Sequence, residues 1–162
     1  MPALRKSRRS VEDQVRVELE ELRAQVPGIR GSLVATSDGL VVAHDIPDIE
    51  PTQVAALAAA TLAVARRATQ ATECGSFREA VARGSDGYLA VYAAGDSAIV
   101  AVTGTSSMNV AMLQYRARGT IERIAAHTTQ IGGQAAPIAP MPGARNGRTL
   151  PRRRPSAPES AS

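Results

Sequence analysis

Three side chains of this 162-residue chain, Cys74, His44 and His127, could in principle assemble a nucleophile and its base. A thiolate beside an imidazole attacks carbonyl carbon, with the histidine moving the proton. Each residue also has a plainer role. His127 falls near the end of a helical stretch, where an imidazolium suits the negative end of the dipole. His44 closes a strand, and Cys74 can serve as a small buried apolar group. The carboxylates are scattered over first turns, hairpin tips and helix faces, with no visibly convergent pair. A lone cysteine makes neither an intramolecular disulfide nor a thiolate zinc site, and a reducing, cytoplasmic setting is expected. No phosphate loop of the form G-x-x-x-x-G-K-[ST] occurs, and Lys6 is the only lysine. The glycines of Gly132-Gly133-Gln134 follow a helix, where a phosphate cradle would precede one. No catalytic constellation, metal or cofactor is expected, so function should lie in surfaces.

Charge is concentrated at the two ends. Arg5, Lys6, Arg8 and Arg9 give residues 1–10 a charge of +4, and five arginines against Glu159 give residues 131–162 another +4. The whole chain carries +4, which leaves −4 for residues 11–130. Any attraction to an anionic membrane or to nucleic acid would come from the ends, which have no aromatic residues for base stacking. Both are expected to be disordered: a basic tail over residues 1–10 and a Pro/Gly/Arg-rich tail over 131–162, which holds six of the ten prolines. Between them, residues 11–130 suffice for one core. No run approaches the roughly 20 apolar residues of a membrane-spanning helix.

The elements between the tails follow from spacing. Val11, Val15, Leu19, Leu22 and Val26 form one helical stripe, with Ser10 as the expected N-cap and Pro27-Gly28 as the stop. IRGSLVAT and GLVVAHDI form a hairpin around Ser37-Asp38, with Gly39 free to take a positive φ. Pro51 opens a second helix to about residue 72, ended by Cys74-Gly75 with Gly75 beyond the cap. Three strands follow, FREAVAR (77–83), YLAVYAA (88–94) and SAIVAVTG (97–104), joined by short turns into a meander. The charges of FREAVAR mark an edge, and the near-continuous apolar run of SAIVAVTG marks the centre. A last helix, from about Met108 to Gln130 with Ser107 as cap, should cover the sheet beside the first.

The second helix carries nine alanines, with Val54, Leu57, Leu62 and Val64 on more than one face. Such a helix can be a plain core helix, rich in the best helix former, but its apolar surface exceeds what one sheet face can cover, and a subunit contact in addition to a core role is the favoured expectation. The edge strand FREAVAR offers a second contact, unless its charges serve only to protect the edge.

The stretches GSLVATSDGLVVA, the alanine-rich helix, FREAVARGSDGYLAVYAAGDSAIVAVT and the closing helix together resemble the roadblock family, related to a dynein light chain. The likeness covers residues 11–130 and is greatest to the bacterial branch. It implies an α+β, profilin-like fold: a five-stranded antiparallel sheet flanked by three helices in the order α-β-β-α-β-β-β-α. It also implies homodimers or heterodimers in which the second helices pair and the third strands join two sheets. That assigns the contact to residues 51–73 and 77–83, with Ala58, Leu62, Ala65, Phe77 and Val81 at the interface. Leu62→Arg or Ala58→Arg is then expected to break the dimer.

The family further implies a non-enzymatic adaptor or regulator of a small Ras-like GTPase, often beside a sensor kinase-like membrane protein. Arg66, Arg67 and Gln70 would face the GTPase. The location would be cytoplasmic, with contact to the inner face of the membrane only peripherally, through the basic tails. Two other readings stay open: a small-molecule sensor domain, against which the many alanines and few aromatics argue for close packing, and a binder of anionic membrane or nucleic-acid surfaces through the tails.

Overall fold

The computed structural model describes residues 2–132. Three helices and five strands follow in the order α1 (Pro2–Gln25), β1 (Ile29–Thr36), β2 (Val41–His44), α2 (Pro51–Ala71), β3 (Glu79–Arg83), β4 (Gly87–Ala94), β5 (Ala98–Thr105) and α3 (Val110–Gly132). The strands form one antiparallel sheet in the order β2-β1-β5-β4-β3. The most apolar strand, β5, is therefore central and the charged β3 is an edge, as their side chains require.

Side chains alternate across the sheet and divide the core in two. Ala98, Val100 and Val102 of β5 join the α1 stripe, Val11 to Val26, and Leu113, Ala117 and Ile124 of α3 on one face. Ile99 and Ala101 meet Val54, Ala55, Ala58 and Leu62 of α2 on the other. Two polar ties hold the first layer. Arg123 Nε donates to Glu18 Oε2 at 2.7 Å, joining α3 to α1. Asp45 accepts from the N–H and hydroxyl of Ser32 at 2.6 and 2.8 Å and from Arg23 at 3.2 Å, pinning the end of the first hairpin beneath α1.

Several ends differ from expectation. The stretch 1–10, expected to be an unstructured tail, is helical from Pro2 onward, so Ser10 lies inside α1 and caps nothing. Its Ala, Leu, Arg and Lys are good helix formers, and proline suits a first helical position. The expected tail 131–162 lies outside the described residues from 133 onward, and α3 runs to Gly132. At the start of α3 the cap is Asn109, whose side-chain oxygen accepts from the Met112 N–H at 2.9 Å. Ser107 instead pairs with Thr105 through their hydroxyls. Met108 is buried in the core.

The end of α2 is closed by Glu73 in place of Gly75. The Cys74 N–H donates to Thr69 O at 2.9 Å and the Glu73 N–H to Gln70 O at 3.3 Å, a Schellman arrangement that puts Glu73 in the left-handed region at φ 56°. Glycine takes that conformation without the strain of a Cβ. Glu73→Gly is accordingly expected to raise the unfolding free energy by about 0.5–1 kcal/mol. Urea denaturation checks this; a lower midpoint would show that the carboxylate stabilises the turn more than the strain costs.

Candidate functional site

α2 sorts its apolar residues onto two opposite sides. Val54, Ala55, Ala58 and Leu62 face the sheet, with Leu62 only 2% exposed. Leu57 and Val64, with Ala60 between them at helical spacing, face away and are 56% and 69% exposed. Two of the residues expected at an interface, Ala58 and Leu62, are thus core residues of the chain itself. A charge at either would break the fold before it broke a contact. Ala65 is half-buried, and Phe77 is half-buried against the same core cluster. Val81 sits 37% exposed on the edge strand β3.

The three residues expected to face a partner separate as well. Arg66 turns toward the β4–β5 turn and donates to Gly95 O at 3.3 Å. With Gln70, Glu73, Phe77 and Asp96 it lines a cleft of about 800 Å³ beside the end of α2. Arg67 is exposed and takes no part in that cleft. A second cleft, of about 460 Å³, opens between the start of β3 and α3, lined by Phe77, Arg78, Glu79, Tyr92, Tyr115 and Arg118 among others. The close packing expected from the alanine content therefore leaves two open concavities.

Tyr92 is buried to 2% exposure, and its hydroxyl has no hydrogen-bond partner among the described residues. Burial, reinforced by the Glu79 carboxylate, pushes its pKa above the ordinary tyrosine value, which keeps it a protonated donor. A buried hydroxyl without a partner costs its desolvation. Removing the oxygen alone, Tyr92→Phe, is expected to stabilise the protein by about 1 kcal/mol, read as a higher urea midpoint. A loss of stability would reveal a partner for the hydroxyl.

The nucleophile-and-base constellation does not form. Cys74 is exposed, contrary to the buried role open to it, and its sulfur accepts from the Thr72 hydroxyl at 3.2 Å. His127 lies in the α1–α3 layer with Nε2 4.0 Å from Glu18, on the far side of the sheet from α2. His44 is exposed on β2, the opposite edge strand from β3. Among the described residues no group of three or more His, Cys, Asp or Glu side chains could hold a metal ion. No helix among them is long and apolar enough to cross a membrane.

The Roadblock/LC7 domain model matches residues 16–103. An uncharacterized protein of Methanocaldococcus jannaschii is 28% identical over 115 residues, covering 70% of this chain and 96% of that protein. Among solved structures, the gliding protein MglB from Thermus thermophilus superposes with a TM-score of 0.68 at 20% identity, covering 74% of this chain and 92% of its own. A Roadblock/LC7 domain from Streptomyces avermitilis gives 0.65 at 23% identity, covering 69% and 95%. These superpositions establish the same arrangement of helices and sheet.

Proposed function

The chain belongs to the Roadblock/LC7 domain family, and from that premise we propose that it is a dimeric, non-enzymatic adaptor that binds a small Ras-like GTPase in the cytoplasm and regulates its nucleotide state or location. The observation that carries this reading is the outward side of α2, where Leu57, Ala60 and Val64 form an exposed apolar stripe. A stripe of that kind suits a second subunit, and small residues between large ones let two helices approach closely. Arg67, exposed near the end of the same helix, and Arg66 and Gln70 at the neighbouring cleft are the polar groups offered to the GTPase.

An adaptor shifts a GTPase between states only as far as its affinities for those states differ. The test is therefore size-exclusion chromatography with light scattering, alone and with candidate GTPases in their GDP and GTP forms, together with hydrolysis rates. A dimer that binds one nucleotide form more tightly supports the reading. A monomer at all concentrations, or no association in either form, overturns it.

A second reading as a small-molecule sensor is favoured by one observation, the Tyr92 hydroxyl buried at the 460 Å³ cleft. Thermal-shift screening of metabolites separates the two readings, since a ligand that binds only the folded state raises the melting temperature.

A further inference from the structure

Glu79 and Tyr92 are cross-strand partners in the β3–β4 ladder, so their side chains stand side by side on one face of the sheet. That face is the one α3 covers. Tyr92 packs in the same cluster as Leu113 and Ala117, and Gln114 Nε2 donates to Glu79 Oε1 at 2.6 Å. Toward the start of β3 a cleft of about 460 Å³ separates helix from sheet, with Gln114, Arg118 and Ile121, at helical spacing, on one wall and Phe77 and Arg78 on the other.

Two features of this cleft are not used by the fold. The Tyr92 hydroxyl, buried without a partner among the described residues, is kept protonated by burial first and by the Glu79 carboxylate second, and so remains a donor lacking an acceptor. The four charged side chains of the walls, Arg78, Glu79, Arg118 and Glu122, form no ion pair with one another or with any other described residue. Their charges cancel, two against two, and the aromatic rings of Phe77 and Tyr115 lie among them.

A ligand that satisfies both features carries an acceptor for the Tyr92 hydroxyl and a donor for Glu79 Oε2, the oxygen that Gln114 leaves open. Cross-strand partners hold their Cβ atoms about 5 Å apart, so the two ligand groups must sit close together. A carboxylate and an ammonium on one carbon meet that condition. A peptide does not, because its terminal charges lie at opposite ends. A dicarboxylate would set a negative charge against Glu79 and Glu122. The volume falls within the range of small-molecule sites.

Deepening the small-molecule reading above, on which it rests, we propose that the cleft between α3 and the start of β3 binds a free α-amino acid with an apolar side chain. Its carboxylate accepts from the Tyr92 hydroxyl and pairs with Arg78 and Arg118, its ammonium donates to Glu79, and its side chain lies against Phe77 and Tyr115. The hydroxyl is shielded from bulk water, so the exposed side chain of Gln114 swings aside on entry and frees Glu79 at the same moment.

Isothermal titration calorimetry of the full chain with L-phenylalanine, hydrocinnamate and phenethylamine separates the two charges. The amino acid is expected to bind at least about tenfold more tightly than either analogue, since each analogue lacks one charged hydrogen-bonding group. Tyr92→Phe, which keeps the ring and its packing, and Glu79→Gln are each expected to weaken L-phenylalanine binding at least about tenfold, with circular dichroism confirming the fold. Arg67→Gln, outside the cleft, is expected to bind like the wild type. Equal affinity for L-phenylalanine and hydrocinnamate overturns the paired-charge ligand. An amino acid bound equally well by the wild type and by both cleft variants lies elsewhere, which overturns this site and leaves the small-molecule reading standing. No binding of L-phenylalanine or L-leucine overturns the proposal, whereas the broader reading falls only if the thermal-shift screen of metabolites is empty as well.

Discussion

Leu62→Ala is expected to lower the unfolding free energy by about 3 kcal/mol, the middle of the range for a fully buried leucine that leaves a cavity. Leu62 is 2% exposed and packs in the cluster of Leu33, Ala35, Ile99 and Ala101 on the α2 face of the sheet. Many of its neighbours in that layer are alanines and valines, whose short side chains cannot swing to fill the space a leucine leaves. Such a loss is a large share of the roughly 5–15 kcal/mol typical of a domain. Urea denaturation monitored by circular dichroism measures it. Leu62→Arg is expected to prevent folding, because the guanidinium would be desolvated without a partner. A loss below about 1 kcal/mol for the alanine variant would mean that Leu62 faces outward after all.

Where one side of an element is polar, periodicity alone assigned its faces: all five residues of the α1 stripe are buried, and the charges of Glu79 and Arg83 identified β3 as the edge. Turn chemistry placed the first hairpin, and Gly39 does take a positive φ of 88°. α2 offered no such contrast. Val54, Ala58 and Leu62 repeat at one helical spacing and Leu57, Ala60 and Val64 at another, so two apolar stripes of similar size competed for the same sheet. Only the tertiary contact decides between them, and expectation assigned to the interface Ala58 and Leu62, which the sheet covers. Leu57 and Val64 carried no signal of their own beyond being apolar. Cap positions failed for a different reason: Ser107 and Asn109 are both good caps two residues apart, and the choice depends on where Met108 enters the core.

The outward stripe yields the complementary prediction. Val64→Arg is expected to leave the monomer's stability within about 0.5 kcal/mol of the wild type, because Val64 is 69% exposed and an arginine there keeps its hydration in the single chain. Self-association, in contrast, is expected to weaken at least about a hundredfold, since a charge held in a close apolar contact between helices loses that hydration without a partner. Sedimentation velocity over a concentration series measures the association, and thermal melting measures the fold. The pair of variants at positions 62 and 64 therefore separates two quantities that a single substitution would confound: one removes the fold and the other only the contact. A Val64→Arg chain that dimerises like the wild type would clear the α2 stripe from the interface and leave the β3 edge to hold two copies by backbone pairing alone.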